Sequence, residues 1–276
     1  MRSVAPHRNR LYSAYEKFLM ISILRKRSLR ILISEKPEWE DAIRAGFHRS
    51  RHEVKFGPIS ADSFAQFDLV VPMEIKDLIR FNQRPELLIK NRIPWPSEEA
   101  FSLCHDKCKF NQALIDRGFG TLIPRMGTGL KFPYVLKKRT GTWGQECWLI
   151  RDPNEEGGIL DKFSTPDYFR QEFIPGPREF ATHILFAKGR IIKSLNIMYE
   201  FESGTPIKGQ ELPLYQIIRR CPYLGVFARI LTSIGFQGLC CVNYKVARGV
   251  PYIFEINPRF GGSLSRYFFS FIRHLD

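Results

Sequence analysis

The first third of the chain alternates between short apolar runs and stretches with helical spacing. Residues 29–34 (LRILIS) are mostly apolar, as in a strand that is buried on both faces. Pro37 suits the first turn of a following helix. The apolar face of that helix is marked by Trp39, Ala42, Ile43 and Phe47. Further strands are predicted at residues 53–56 and 67–71, and a further helix at residues 74–81. Strands that alternate with helices predict a small α/β unit.

The pattern changes after residues 94–96 (PWP). Ser97 followed by two glutamates is typical of a helix start, and a second helix is predicted from Asp106 to Arg117, ending at Gly118. An extended connection is expected at residues 118–124. Strands are predicted at residues 134–138 and 147–150, around a polar loop at residues 140–144. Two hairpins follow, 178–187 with 190–201 and 238–246 with 250–256, and residues 214–234 between them are predicted to be mostly helical.

Length and composition restrict the class of protein. The 276 residues correspond to about two domains. With 44% hydrophobic and 25% charged residues, the composition is that of a globular protein with a core, which excludes global disorder, collagen and coiled coil. The longest near-apolar run, residues 18–24, is too short for a bilayer-spanning helix, which needs about 20 residues. We therefore expect no membrane segment.

The net charge of +14 is unevenly distributed. Before residue 31 there are eight lysines and arginines and a single acid, Glu16. Such a basic arm is typical of contact with nucleic acid or an anionic membrane, and equally of a solvated tail or of residues upstream of a start at Met20. The positive charge on the rest of the chain suits an anionic small substrate as well as a polynucleotide.

The six cysteines form no CxxC pair, and no secretory signal precedes them. Free thiols in a reducing compartment are therefore expected, which favours a cytoplasmic protein.

The most informative string is FEINPRFGG, at residues 254–262. At strand spacing Glu255 and Asn257 point to the same face, and a carboxylate beside an amide oxygen suits Mg²⁺ that also holds phosphate oxygens. Arg259 adds a guanidinium fork suited to phosphate. Asn243, on the preceding strand, could be brought opposite Glu255 by the turn at residues 247–249. The other interpretation is a surface strand with incidental polar residues.

Two further strings are weaker alone. In PYVLKK, at residues 133–138, a strand could direct Lys137 inward, and the loop at residues 140–144 could bring backbone N–H groups over a polyphosphate; the alternative is an exposed β-turn. In QEFIPGPREF, at residues 171–180, a break between two strands could form a hinge that pairs with an adenine edge, with Glu179 near ribose hydroxyls. The alternative is a kinked strand.

The order of these strings resembles the ATP-grasp superfamily, in particular its carbamoyl-phosphate-synthase-like and carboxylate–amine ligase branches. Asp106-Lys107, PYVLKK, QEFIPGPREF and GLCCVNYKV leading into FEINPRFGGS carry the resemblance over residues 100–266. It implies an α/β (α+β) fold in which a basic arm at residues 1–28 is followed by a pre-grasp α/β domain at 29–100 and an ATP-grasp domain at 101–276. The lid subdomain would span about 125–170 and the C-terminal subdomain about 171–276.

The resemblance also implies roles for individual residues. Lys107 and Lys137 match lysines that contact the phosphates, and Arg259 matches the arginine that stabilises the transferring phosphate. The expected catalytic residues are Arg259 and Lys137. The expected ATP-binding residues are Lys107, Lys137, Gly141, Thr142, Gly144, Glu172, Phe173, Ile174 and Glu179. The expected metal ligands are Asn243, Glu255 and Asn257.

The sequence therefore predicts an ADP-forming ligase that uses ATP and Mg²⁺, with Mn²⁺ as an alternative metal, to join a small-molecule carboxylate to an amine or similar nucleophile. No serine or cysteine stands in a nucleophile-elbow context, and the single histidine on the elements that carry these strings is His183, on the strand that begins at Arg178. Direct phosphate transfer to the substrate carboxylate is therefore expected. The alternatives are an ATP-binding protein of the same fold without turnover and, with less support, a nucleic-acid-binding protein. A homo-oligomer remains open.

Overall fold

The computed structural model describes residues 28–89, 91–141, 144, 146–163, 165–272 and 274–275. The predictions for the basic arm at residues 1–27 and for Thr142 lie outside the described residues. Within the described part, the strands form three sheets, and each expected strand and hairpin of the sequence analysis is found in one of them.

The N-terminal unit is the predicted α/β layer. Strands β1 (Arg30–Ile33), β2 (Glu53–Phe56) and β3 (Leu69–Val71) form a parallel sheet in the order β2-β1-β3. Helix α1 (Pro37–Phe47) begins at Pro37, as predicted, and buries Trp39, Ile43 and Phe47. The remaining helices of this unit are α2 (Ser63–Gln66), α3 (Ile75–Asn82) and α4 (Pro85–Leu88).

Two helices connect this unit to the rest of the chain. The Ser97 hydroxyl accepts a hydrogen bond from the Ala100 N–H and caps α5 (Glu98–His105), and the Asp106 carboxylate caps α6 (Lys107–Leu114). The helical path continues through one π-turn (Ile115–Phe119) to Gly118, whose φ of 83° suits glycine. The extended connection predicted at residues 118–124 is wrong in part, because Gly120–Leu122 form a 3₁₀ turn.

A small antiparallel sheet follows, which we call the lid sheet. It consists of β4 (Tyr134–Lys138), β5 (Cys147–Ile150) and β6 (Tyr168–Glu172) in the order β5-β4-β6. Helices α7 (Pro153–Gly157) and α8 (Leu160–Phe163) lie between β5 and β6. The outer face of the lid sheet has a small hydrophobic cluster of its own, built around Tyr134, Leu136 and Ile150.

The central sheet is antiparallel and has five strands in the order β11-β10-β7-β8-β9. They are β7 (Arg178–Ala187), β8 (Arg190–Glu200), β9 (Tyr215–Arg219), β10 (Gly238–Ala247) and β11 (Val250–Asn257). Both predicted hairpins are confirmed, and each turns through two residues with positive φ: Lys188-Gly189 and Arg248-Gly249.

The helix predicted over residues 214–234 is wrong in its first half. Residues Tyr215–Arg219 form the edge strand β9, which pairs with β8, and helix α9 begins only at Leu224 and ends at Ser233. Backbone pairing with β8 decides the conformation here, and the local apolar pattern carries no information about that pairing.

The two faces of the central sheet have different partners. One face packs on α5, α6 and α9 through a cluster that contains Phe110, Phe227 and Tyr244. The other face packs at one end on the N-terminal unit, in a cluster that joins Ile31 and Leu69 to Leu185 and Leu239. The chain then closes this second cluster with a 3₁₀ turn (Gly262–Tyr267) and α10 (Phe269–Ile272). The remaining end of this face is left to line a cavity.

Candidate functional site

A cavity of about 720 Å³ lies between the lid sheet and the central sheet. It is lined by every described residue of the predicted site: Lys107, Lys137, Gly141, Gly144, Glu172, Phe173, Ile174, Glu179, Asn243, Glu255, Asn257 and Arg259. These positions span more than 150 residues of sequence. The motifs gave only their order along the chain, and the fold brings the residues together in one cavity.

Glu255 is at the centre of the charged part of the cavity. Its carboxylate lies 3.4 Å from the Lys107 ammonium and accepts hydrogen bonds from the amides of Asn243 at 2.8 Å and Asn257 at 2.9 Å. Burial favours the neutral acid, but Lys107 and the two amides outweigh it and lower the pKa of Glu255 to about 2. The carboxylate is therefore ionised at neutral pH.

Strand register explains why these side chains meet. Asn243 on β10 is directly opposite Glu255 on β11, as predicted, and Glu255 and Asn257 share a face. Between them and Ile253 the register shifts, with Phe254 as the extra residue on β11. Because of this bulge, Phe254 and Glu255 both line the cavity although they are adjacent in sequence.

Lys137 projects inward from β4, as predicted. Its ammonium donates to the Gln171 side-chain oxygen at 2.7 Å and lies 4.6 Å from the centre of the Phe254 ring. Burial lowers the pKa of Lys137, and the nearby negative charge of Glu255 partly offsets that effect. The strand thus delivers a desolvated cation to the roof of the cavity.

Lys107 fixes the start of the loop at residues 140–144, which follows β4 and which we call the flap. Its ammonium donates to the Gly141 carbonyl at 2.8 Å, and its backbone N–H donates to the Arg139 carbonyl at 2.8 Å. The Arg139 guanidinium in turn bonds the Asp106 carboxylate at 2.7 Å. The N-terminus of α6 and the end of β4 are therefore held together beside Glu255.

Arg259 follows the end of β11. Among the described residues, its guanidinium donates a hydrogen bond to the Phe260 carbonyl at 2.9 Å, which leaves most of its donors for a ligand. Burial lowers the pKa of Arg259, and the charge of Glu255 opposes that change.

The predicted hinge lies at the opposite end of the cavity. Glu172 ends β6 and pairs with Arg125 at 3.1 Å, and the Ile174 carbonyl accepts a hydrogen bond from Lys245 at 3.2 Å. Glu179 follows on β7, where burial raises the pKa of its carboxyl group and the charges of Lys208 and Lys245 partly counteract it.

Sequence reasoning missed the segment at residues 206–213, which we call the cover segment. Lys208 donates to the Asn243 side-chain oxygen at 3.2 Å, lies 3.8 Å from Glu179 and is 4.2 Å from the centre of the Tyr199 ring. Burial opposes its protonation, but Tyr199 and Glu179 raise the pKa of Lys208. In the sequence, the cover segment is marked only by a lysine among glycine and proline residues.

The cover segment is also bonded to the lid. The Gln210 amide donates to the carbonyls of Gly144 at 2.7 Å and Cys147 at 2.6 Å. A Cβ on Gly144, whose φ is 64°, would lie 2.5 Å from the Lys208 carbonyl oxygen. Flap and cover segment therefore meet backbone to backbone, and the closed arrangement requires glycine at position 144.

Residues beyond the predicted set line the end of the cavity near the N-terminal unit. They are Trp39, Tyr199, Cys241, Gly261, Gly262 and Ser263. Trp39 packs so closely on Gly262 that a Cβ there would lie 2.8 Å from the indole. This end is therefore built jointly by the N-terminal unit and the segment after β11.

The thiols are unpaired at all six cysteine positions, as predicted. Two of them border the cavity, and burial raises the pKa of Cys147 to about 11 and that of Cys241 to about 12. Such raised pKa values favour the protonated thiol at neutral pH, which is the unreactive form. Among the described helices, none has the length and apolar character that a membrane crossing requires.

Comparison with solved structures identifies the fold. D-alanine–D-alanine ligase from Bacillus anthracis in complex with ATP is 14% identical and has a TM-score of 0.55, over 84% of this chain and 87% of that one. N5-carboxyaminoimidazole synthetase from Staphylococcus aureus in complex with ADP is 14% identical with a TM-score of 0.60, over 87% and 72%. Phosphoribosylamine–glycine ligase from Thermotoga maritima is 16% identical with a TM-score of 0.63, over 86% and 70%.

Neither a protein-family profile nor a curated protein sequence matches the chain. The structural likeness nevertheless defines the class: two α+β layers that hold a charged cavity between them, with a parallel α/β unit in front. The chain has the ATP-grasp fold, as its motif order predicted.

Proposed function

We propose that the protein is an ATP- and Mg²⁺-dependent ligase. It activates a substrate carboxylate as an acyl phosphate, which an amine or similar nucleophile then attacks, with release of ADP and phosphate. The observation that carries the proposal is the arrangement of Lys107, Lys137 and Arg259 around the ionised Glu255 in one cavity. Phosphoryl transfer needs this kind of arrangement, because charge must be neutralised on the γ-phosphate and its flanking oxygens.

Each end of the cavity has its own task in this proposal. The backbone of Glu172–Ile174 holds the adenine, and Glu179 receives the ribose hydroxyls. Lys107, Lys137, Lys208 and the flap glycines Gly141 and Gly144 contact the phosphates. The γ-phosphate then points toward Arg259 and the end near Trp39, where the second substrate pair, the carboxylate and the amine, meets it.

The donor set suits Mg²⁺ that arrives with the nucleotide. Glu255 provides one ionised carboxylate, and Asn243 and Asn257 provide two amide oxygens, once their amide groups turn from donating to Glu255. Mg²⁺ is usually held by one or two carboxylates together with substrate phosphates and water. Mn²⁺ accepts the same ligands. Bound there, the metal would neutralise charge on the β- and γ-phosphate oxygens.

The bonds in the two steps balance without a covalent enzyme intermediate. A carboxylate oxygen attacks the γ-phosphorus as the bond to the β-phosphate oxygen breaks, and ADP leaves. The amine nitrogen then attacks the acyl carbon, loses a proton and expels phosphate. Lys107, Lys137 and Arg259 hold the transferring group in place during the first step.

The names of the similar structures support this chemistry. Two are ligases that join an amine to a carboxylate-bearing partner, and nucleotide complexes with ATP and ADP are represented.

The test is ADP release across a panel of carboxylic acids, with and without amines. Hydroxylamine in place of the amine should trap a hydroxamate in an amount equal to ADP. AMP and pyrophosphate as products would refute the acyl-phosphate mechanism, as would a phosphorylated enzyme residue.

A second candidate, an ATP-binding protein of the same fold without turnover, is favoured by one observation. Asn243 places a neutral amide at a position where an acid would add a second negative charge to the metal site, and the amide oxygen bonds Lys208 instead. This candidate predicts ATP binding without ADP release for every acid in the panel.

A further inference from the structure

His183 lies where the central sheet changes from core to cavity. On β7 and β10 it is paired with Cys241, which lines the cavity. The next pair on the same face, Leu185 and Leu239, belongs to the hydrophobic cluster shared with the N-terminal unit. His183 is itself almost fully buried, at 1% exposure. A polar ring at the edge of an apolar core needs hydrogen-bond partners.

One of its ring nitrogens has such a partner. Nε2 lies 2.7 Å from the Ser263 hydroxyl oxygen, whereas Nδ1 is buried and has no hydrogen-bond partner among the described residues. The ring is tightly enclosed, since a Cβ on Gly261 would lie 2.7 Å from its Cε1 atom. This packing fixes both the position and the plane of the imidazole.

These contacts determine which ring nitrogen of His183 carries the proton. A proton on Nδ1 would be a buried N–H donor without an acceptor, which is rare in proteins, whereas a bare Nδ1 leaves only an acceptor unpaired. The favoured tautomer therefore carries its proton on Nε2 and donates to Ser263. Because the Ser263 oxygen accepts from His183, its own O–H remains available as a donor, and Ser263 lines the cavity.

We propose that His183 is a positioning residue that holds the Ser263 hydroxyl as a donor to an oxygen of the substrate carboxylate beside Arg259. This inference rests on the proposed function and deepens it, because it assigns the end near Trp39 to the acid rather than to the amine. A site that offers an O–H donor and a guanidinium binds a carboxylate and disfavours an ammonium group.

The first test determines which tautomer of His183 is present. Long-range ¹H–¹⁵N correlation spectra of the full chain at pH 7 should show His183 neutral, with the proton on Nε2. A proton on Nδ1, or a charged ring, would overturn the proposal.

The second test uses two simple probes without nucleotide: sodium acetate as the carboxylate and methylammonium chloride as the ammonium, at ionic strength matched with sodium chloride. Acetate should shift the His183 Nε2 and Ser263 amide signals, and methylammonium should not. The proposal fails if methylammonium shifts them or acetate does not. Since neither probe requires turnover, a failure of the ligase proposal is recognised separately.

Variants separate positioning from a merely structural role. Ser263→Ala should abolish the acetate response, whereas Ser265→Ala should retain it, because that hydroxyl bonds the Gly262 carbonyl at 2.6 Å. His183→Gln keeps a donor near the Nε2 position and should bind acetate like wild type, read at the Ser263 amide. His183→Leu should weaken acetate binding about twofold to tenfold, the range for one neutral hydrogen bond. Equal affinities of His183→Gln and His183→Leu would overturn the proposal. If His183→Leu does not fold, His183→Ala takes its place, and equal affinities of His183→Gln and His183→Ala would then overturn the proposal.

Discussion

Replacing Glu255 by glutamine removes the negative charge at the centre of the cavity while keeping the size of the side chain. The wild-type carboxylate lies 3.4 Å from Lys107 and accepts two amide hydrogen bonds, and the side chain is 22% exposed. Glutamine can keep one hydrogen-bonded oxygen but leaves the surrounding cations without their nearest counter-charge.

The effect on stability follows from the pKa. The carboxyl group titrates at about 2 in the folded protein against an ordinary value of 4.5, and the difference corresponds to about 3 kcal/mol. Because the folded-state pKa is the lower one, this stabilisation is fully present above pH 4.5 and is lost as the pH falls through about 2. Glu255→Gln should therefore lower the free energy of unfolding by up to about 3 kcal/mol at pH 7, and by much less at pH 2.

The effect on function should be larger. Without the carboxylate, the metal that accompanies the nucleotide loses its only charged protein ligand in the proposed set. Turnover should fall on the order of 10³-fold or more, as for other groups that stabilise charge in a transition state.

Two assays test these expectations. Urea unfolding at pH 7 and pH 2 gives the stability difference between wild type and variant, with the exposed Glu86→Gln as the control that should stay within about 0.5 kcal/mol. Titration with a fluorescent ATP analogue, with and without Mg²⁺, shows whether the metal still strengthens binding. Equal stability of the two proteins at pH 7 would refute the electrostatic reasoning, and near wild-type turnover would refute the metal assignment.

Three further predictions concern other parts of the chain. Deletion of residues 1–27 should leave ATP binding unchanged, and the full chain should show no salt-dependent binding to polynucleotide in a filter or fluorescence assay; such binding, lost on deletion, would support the nucleic-acid alternative. Lys137→Ala should suppress ADP and hydroxamate formation together, and an effect on only one product would contradict its role at the phosphates. Gly144→Ala should weaken ATP binding about tenfold or more in a nucleotide titration, because the new Cβ would collide with the Lys208 carbonyl, whereas Gly157→Ala, with no atom within 4 Å, should not.

Local patterns were sufficient for most elements of the fold. The parallel unit is recognisable from β1 and from Pro37 at the start of α1, and the hairpins from their two-residue turns. Strand β9 could not be predicted in this way, because its conformation is set by pairing with β8, its neighbour among the described strands. Propensity is a weak guide at such an edge.

The candidate site could be predicted where strand geometry sets the relative positions of its side chains. Glu255 and Asn257 share a face because of strand geometry alone, and Asn243 reaches Glu255 through the register of one hairpin. Lys208 and the His183–Ser263 contact depend instead on segments 35 to 80 residues distant in sequence from their partners. Local sequence patterns do not predict such long-range contacts. They also do not predict the bulge that turns Phe254 into the cavity.

The contact of helix α1 with the end of the chain has a consequence for how the cavity exchanges its contents. Gly46 lies so close to the Arg266 carbonyl that a Cβ would not fit, and the N-terminal unit shares one hydrophobic cluster with the central sheet. Rotation of the N-terminal unit against the central sheet would separate a continuous hydrophobic core. We therefore expect these two parts to stay fixed relative to each other. The lid sheet has a separate, smaller cluster and is bonded to the cover segment through Gln210. Under the proposed function, we expect the lid sheet to be the part that moves, and the lifetime of those two hydrogen bonds to set how fast ADP leaves.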